Sequence, residues 1–156
     1  MDSAKRESGR RVLVLNGPNL NLLGRREPDQ YGHTTLNEIE DELRSYAASR
    51  VAEIRFVQSN HEGELIDMIH KAIGWADAMI VNAAGLTHSS VGLRDAIIAA
   101  AIPTVEVHLS NIYRREEFRH HSLIADVVAG QITGFGAFSY RLGMEAALYL
   151  LDKKGS

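Results

Sequence analysis

Five short apolar runs, each separated from the next by a stretch of helical periodicity, restrict this chain more than any single residue does. Residues 11–16 form a continuous apolar run ending in Asn-Gly-Pro, and runs at 53–59, 77–82, 105–110 and 127–133 read as four further strands. Between the first two, Leu36, Ile39, Leu43, Tyr46 and Ala47 share one helical face behind the capping-box spacing of Thr35 and Glu38. Leu65, Ile66, Ile69, Ala72 and Ile73 repeat the pattern within residues 62–75. Further helices are expected from Ser89-Ser90 through Ala101, briefly over 115–121, and over 138–152.

Strands that alternate with helices imply a parallel sheet with right-handed crossovers and helices on both faces. The expected fold class is α/β, a flavodoxin-like three-layer sandwich with a five-stranded parallel sheet of order 2-1-3-4-5. Ligands in such sheets bind beyond the carboxyl ends of the strands, where the order reverses between strands 1 and 3. At 156 residues, without internal repeat or linker, one domain is expected over 11–152. Residues 1–10 and 153–156 read as polar tails.

The fourth strand carries an anomaly. Val105, Val107 and Leu109 fall on one face of its pleat, and Glu106, His108 and Ser110 fall on the other. A carboxylate and an imidazole on a covered face cost desolvation energy unless they bond each other or open onto a wet cleft. The segment alone leaves a structural pair and a catalytic pair equally open.

Composition removes several classes of function. A net charge of -3 gives no general basic surface for nucleic acid, and no apolar run reaches membrane-spanning length. The absence of cysteine removes thiolate nucleophiles and cysteine-ligated zinc, and fits a cytoplasmic protein. The polar N-terminus does not read as a signal peptide. No dinucleotide glycine pattern or Walker lysine appears, and His61-Glu62 lacks the second histidine of a zinc protease motif. No cofactor and no metal are expected. Lysine occurs only at 5, 71, 153 and 154, so Lys71 alone lies outside the tails.

The remaining polar signals cluster at the expected strand ends. The loop over 17–33 carries Asn19, Arg25, Arg26 and Tyr31, and is read either as a solvated loop or as one in which an arginine beside Tyr31 favours a phenolate base. Residues 82–88 lead from strand 3 through His88 into a helix that Ser89 or Ser90 could cap. Arg94-Asp95 interrupts an apolar helix and reads as a salt bridge or a subunit contact. Arg119 lies on an exposed turn that could fold back over the crevice, whereas His33, His70, His120 and His121 carry no assigned role.

Several long motifs in order resemble the type II 3-dehydroquinate dehydratases (type II dehydroquinases). They are L-N-G-P-N-L-N-L-L-G-R-R-E-P-x-x-Y-G over 15–32, Q-S-N-H-E-G over 58–63, the segment 82–95, and E-V-H-L-S-N over 106–111. R-E-E-F-R-H-H-S over 115–122 and G-F-G-x-x-S-Y over 134–140 complete the match. The resemblance implies dehydration of 3-dehydroquinate to 3-dehydroshikimate by anti elimination through an enolate. By position, Tyr31 is the base that takes the C2 proton, Arg26 the cation favouring its phenolate, and Asn19 a holder of the water that stabilises the enolate oxygen. His108 is the acid for the C1 hydroxyl, oriented by Glu106. Asn82, His88 and Arg119 bind hydroxyl groups, while the Leu109 amide and Ser110 hold the carboxylate. Arg115 supports the loop. The family also implies trimers assembled into a dodecamer, with Asp95 reaching a neighbouring subunit's site. Many relatives carry Pro-Gly where this chain has Ala83-Ala84, so a slightly different bend is expected there.

The implied chemistry agrees with the bottom-up reading. An enolate route needs a base, donors at the oxyanion and an acid for the leaving hydroxyl, and one of each lies at the strand ends. A lysine imine route would need a lysine among them. The competing reading from another class is a binding module of the same fold that holds a small anion without turnover.

Overall fold

Alternating apolar and helical periods produce the expected wound sheet. The structure, a computed structural model, describes residues 9–154, so the expected tails fall mostly outside the described residues. Strands β1 (Arg11–Asn16), β2 (Glu53–Gln58), β3 (Ala78–Asn82), β4 (Thr104–His108) and β5 (Gly130–Thr133) are all parallel, in the order β2-β1-β3-β4-β5. The sheet order reverses at β1 and β3, where Asn16 lies beside Asn82 at the carboxyl edge.

Helices α2 (Leu36–Ser49) and α5 (Phe138–Lys154) cover one face, packing on Val12, Val14, Ile80, Val105 and Val107. Helices α3 (Glu62–Ala72) and α4 (Val91–Ala100) cover the other, over Leu13, Leu15, Met79 and Val81. Successive strand residues therefore feed opposite layers, and β1, β3 and β4 are almost wholly buried. The Thr35 hydroxyl caps α2 by accepting from the Glu38 N–H at 3.2 Å. The buried residues of α2 are Leu36, Ile39, Leu43, Tyr46 and Ala47, each worth about 1.5–3 kcal/mol of burial for the larger side chains.

Differences from the sequence reading lie in the connections. The loop over 17–33 is not wholly irregular, because Pro28 starts the one-turn helix α1 (Pro28–Tyr31) that carries Tyr31. The helix expected over 115–121 is a single 3-10 turn, Glu117–Arg119, and a separate 3-10 turn, Ile112–Arg114, precedes it. Strand β5 starts three residues later than expected. The Ser122 hydroxyl accepts from the Ile124 and Ala125 N–H groups and turns that segment into a 3-10 helix, Ala125–Val127. At the other boundaries, α5 runs on to Lys154, and Arg10 is tied in by its ion pair with Asp152 and by its carbonyl, which accepts from Glu53.

Helix α5 approaches the sheet closely at Gly143, where an added Cβ would stand 2.7 Å from Val107 Cγ2. Gly143→Ala should therefore lower the unfolding free energy by roughly 1–3 kcal/mol despite its better helix propensity. The denaturant midpoint, compared at matched protein concentration, reads this directly.

Candidate active site

The carboxyl ends of β1, β3 and β4 and the loops beyond them enclose a cavity of about 120 Å³. Asn19, Arg26, Tyr31, Asn82, His88, His108, Leu109, Ser110 and Arg119 all line it, together with Arg115. Two of the expected residues do not. Glu106 lies fully buried behind His108, and Asp95 is exposed on α4.

Glu106 and His108 follow one another on the α3–α4 face of β4. The Glu106 carboxylate Oε2 stands 2.5 Å from His108 Nε2 and also accepts from Ser122 Oγ at 2.8 Å and Gln131 Nε2 at 3.1 Å. Ser122 already accepts two backbone N–H groups, which leaves its hydroxyl hydrogen for Glu106. Gln131 is the β5 residue in register with Glu106. The three contacts aim one oxygen at the imidazole, so Nε2 carries a hydrogen and Nδ1 is the nitrogen left for the cavity.

Tyr31 enters the cavity between two guanidinium groups. Arg115 Nη1 donates to the phenolic oxygen at 2.5 Å, and the Arg115 guanidinium also reaches Ser110 Oγ at 3.5 Å and Glu27 at 3.9 Å. Arg26 instead lies over the ring, 5.0 Å from its centroid, and pairs with Glu27 at 3.6 Å. The cation on the oxygen is thus Arg115 rather than Arg26, because α1 turns the hydroxyl toward the loop after β4. Arginine only donates, so the phenolic oxygen is the acceptor and its own proton must point elsewhere.

The opposite face of the sheet contributes a buried amide–phenol chain. The Tyr140 hydroxyl donates to Asn16 Oδ1 at 2.6 Å and accepts from Asn82 Nδ2 at 2.9 Å, while Asn82 Oδ1 accepts from the Ala84 N–H at 3.2 Å. Burial pushes the Tyr140 phenol well above its ordinary range, against the opposing effect of the Asn82 bond. Asn82 is thereby fixed with an edge toward the cavity. His88 shares its Nδ1 with the His121 carbonyl at 2.9 Å. Burial holds His88 below the usual histidine range, with the His121 bond opposing and the charges of His108 and Arg119 assisting. It is a neutral imidazole whose Nε2 lone pair can accept from a hydroxyl. Arg119 is held by Glu116 at 2.6 Å.

Two loops of this wall are pressed together. Gly17 N–H donates to the Asn82 carbonyl at 2.8 Å, and a Cβ on Gly17 would lie 2.5 Å from Ala83 O, so no other residue fits. Ala84, at the bend after β3, takes φ 52°, in the left-handed region that favours glycine. Among the described residues no three His, Asp or Glu side chains group as metal ligands, and no helix is long and apolar enough to cross a membrane.

The family model "Dehydroquinase class II" matches residues 10–148. A 3-dehydroquinate dehydratase of Gloeobacter violaceus is 62% identical over 92% of this chain and 90% of its own length. One from Acaryochloris marina is 59% identical over 90% and 95%. The crystal structure of a type II dehydroquinase from Butyrivibrio crossotus superposes with a TM-score of 0.86 at 39% identity, covering 92% of this chain and 97% of that one.

The chain belongs to the class II dehydroquinase family. It is accordingly an enzyme, a lyase of the hydro-lyase type.

For a dehydroquinase, the site has more supporting residues than the sequence reading named. Asn16, Tyr140, Ser122 and Gln131 hold the groups that line the cavity. Asn16, Tyr140 and Ser122 stand inside the motifs over 15–32, 134–140 and 115–122, which is the signal that marks them; Gln131 has none. Beside Asp95, Arg94 makes the surface salt bridge expected at this step, with Asp126, and also donates to the Leu123 carbonyl. Asp95 stands between the exposed Val91 and Ile98 on the outer face of α4.

Tyr140 gives a prediction with a definite sign. Its folded-state affinity for the proton is raised, so its contribution is complete below an unfolded value of about 10 and is lost as pH rises above that. Tyr140→Phe should remove this alkaline component. It should also cost roughly 1–3 kcal/mol at neutral pH, through the buried partners it strands at Asn16 and Asn82. Denaturant unfolding at pH 7 and across the range above 10 measures both.

Proposed function

We propose that this hydro-lyase converts 3-dehydroquinate to 3-dehydroshikimate by anti elimination through an enolate. The single observation that carries the mechanism is the pairing, in one cavity, of a tyrosine held by an arginine with a histidine held by a buried glutamate. Tyr31, as the phenolate, takes the C2 proton, and the C–H electrons move toward the ketone oxygen. Arg115 compensates the charge at the phenolic oxygen, and Arg26 adds a second cation over the ring. Asn19 helps hold a water that donates to the enolate oxygen. The enolate then collapses, the C1–oxygen bond breaks, and His108 delivers a proton so that the hydroxyl leaves as water. Glu106 offsets the charge of the ring while it holds both protons.

Asn82, the neutral His88 and Arg119 are assigned to substrate hydroxyl groups, and the Leu109 amide with Ser110 to the carboxylate. Among the described residues no lysine lines the cavity, and Lys71 sits on α3 beside a different hollow, which supports the enolate over an imine. The same step serves aromatic biosynthesis and quinate breakdown, and a cytoplasmic setting suits either. Incubation with 3-dehydroquinate should raise the near-ultraviolet absorbance of a conjugated enone. His108→Ala and Tyr31→Phe should each lower kcat by at least about a hundredfold, with smaller changes in KM. Borohydride should leave no substrate on the protein. A well-folded oligomer that binds the substrate without turnover would be a binding module instead.

We extend the proposal to assembly, as trimers within a dodecamer in which Asp95 serves the neighbouring subunit's cavity. The exposed Asp95 between Val91 and Ile98 supports it, as does its absence from this chain's own cavity lining. Asp95→Ala and Tyr31→Phe should each be nearly inactive alone. Unfolded and refolded together in equal amounts, they should regain about a quarter of the sites, because a quarter then combine an intact Tyr31 with an intact neighbouring Asp95. No recovery from mixed oligomers would remove Asp95 from a shared site.

A further inference from the structure

The motif over 58–63 supplies no residue to the cavity wall, yet it grips the loop that does. Its Ser59 serves α3, with the hydroxyl accepting from His61 N–H at 2.9 Å and bonding Glu64. Gln58 and Asn60 turn the other way. Asn60 Oδ1 accepts from the Asn19 backbone N–H at 2.9 Å and from Gln58 Nε2 at 3.2 Å. Gln58 Nε2 also donates to the Gly17 carbonyl at 3.1 Å.

The backbone partners fix the polarity of both side chains. A backbone N–H can only donate, so the Asn60 atom facing Asn19 is the oxygen. A carbonyl can only accept, so the Gln58 atom facing Gly17 is the nitrogen. Asn60 therefore needs nothing but an acceptor, and Gln58 nothing but a donor.

Asn19 has a conformation that calls for such a hold. It lies at φ 70°, ψ -4°, in the left-handed region, at the start of the 3-10 turn Leu20–Leu22, and its own side chain makes no capping bond. That region costs most residues about 1–2 kcal/mol and asparagine somewhat less. A return to the right-handed region would swing the side chain away from the cavity.

We infer that Gln58 and Asn60 are positioning residues that lock the left-handed Asn19, and so aim its side chain at the enolate oxygen's water. The inference rests on the role given to Asn19 above. It acts through geometry alone, since neither residue touches the cavity, and a displacement of about 1 Å at a reacting centre can cost a hundredfold.

The test compares steady-state kinetics on 3-dehydroquinate for five variants. Asn60→Ala should lower kcat by about tenfold or more while KM moves less than about threefold. Asn60→Asp should keep most of the wild-type kcat, because a carboxylate oxygen accepts the same two bonds. Gln58→Glu, nearly isosteric, should fall as far as Asn60→Ala, since it puts an acceptor against two acceptors. Asn19→Ala should be impaired, and Asn19→Ala/Asn60→Ala little worse than Asn19→Ala alone. Asn19 and Asn60 are exposed and Gln58 is half-buried, and none belongs to either apolar core, so these substitutions leave the core untouched. A wild-type kcat in Asn60→Ala, equal loss in Asn60→Ala and Asn60→Asp, or additive loss in the double variant would each overturn the inference. An Asn19→Ala variant with full activity would instead overturn the role given to Asn19 itself.

Discussion

A carboxylate with no exposure to solvent, in the middle of a central parallel strand, is costly there unless donors meet it. Glu106 is that group, and its requirements shape one side of the site. Gln131 must come from the neighbouring strand in register, Ser122 from the connection into β5, and His108 from the next residue on the same face. Each donor is drawn from a different stretch of chain, so satisfying one oxygen ties together β4, β5 and the segment between them. The reward is a histidine with one nitrogen assigned and the other presented to the cavity.

The other half of the site is built on the opposite face by the same rule. Asn16 and Asn82 stand side by side at the ends of β1 and β3, on the α5 side of the sheet, and the Tyr140 hydroxyl joins them. The Asn16 carbonyl oxygen, the Tyr140 phenol and the Asn82 amide nitrogen bond in a chain there, and α5 is docked against the sheet by a polar contact as well as an apolar one. The cavity opens where the two arrangements meet, over the carboxyl edge at the point of reversal. Above it Tyr31 and Arg115 close the wall with a bond between residues 84 positions apart.

Much of this was legible in advance because it depends on local period. The apolar face of α2 and its Thr35 cap are matters of spacing, as are the two unlike faces of β4 and the strand ends at Asn16 and Asn82. The short elements were not. The hydroxyl of Ser122 overrode the strand propensity of Val127 and Val128, and a proline start made one helical turn inside an expected loop. Such elements are decided by one or two side-chain bonds, which leave no periodic trace.

By itself, then, the sequence determined the wound sheet, the edge at which polar residues collect and, through long ordered motifs, the family. Periodicity and burial act over many residues at once, and no rearrangement of the loops could cancel them. Only the tertiary structure decided which guanidinium meets the Tyr31 oxygen. Arg26 is five residues away in the chain and Arg115 is 84, yet α1 turns the hydroxyl toward Arg115. The tertiary structure alone also brought Gln58 and Asn60 against the Asn19 loop, and Tyr140 between two asparagines. Partners across the sheet are chosen by the strand order and by the distance and direction of single bonds. Those quantities exist only once the chain has closed on itself.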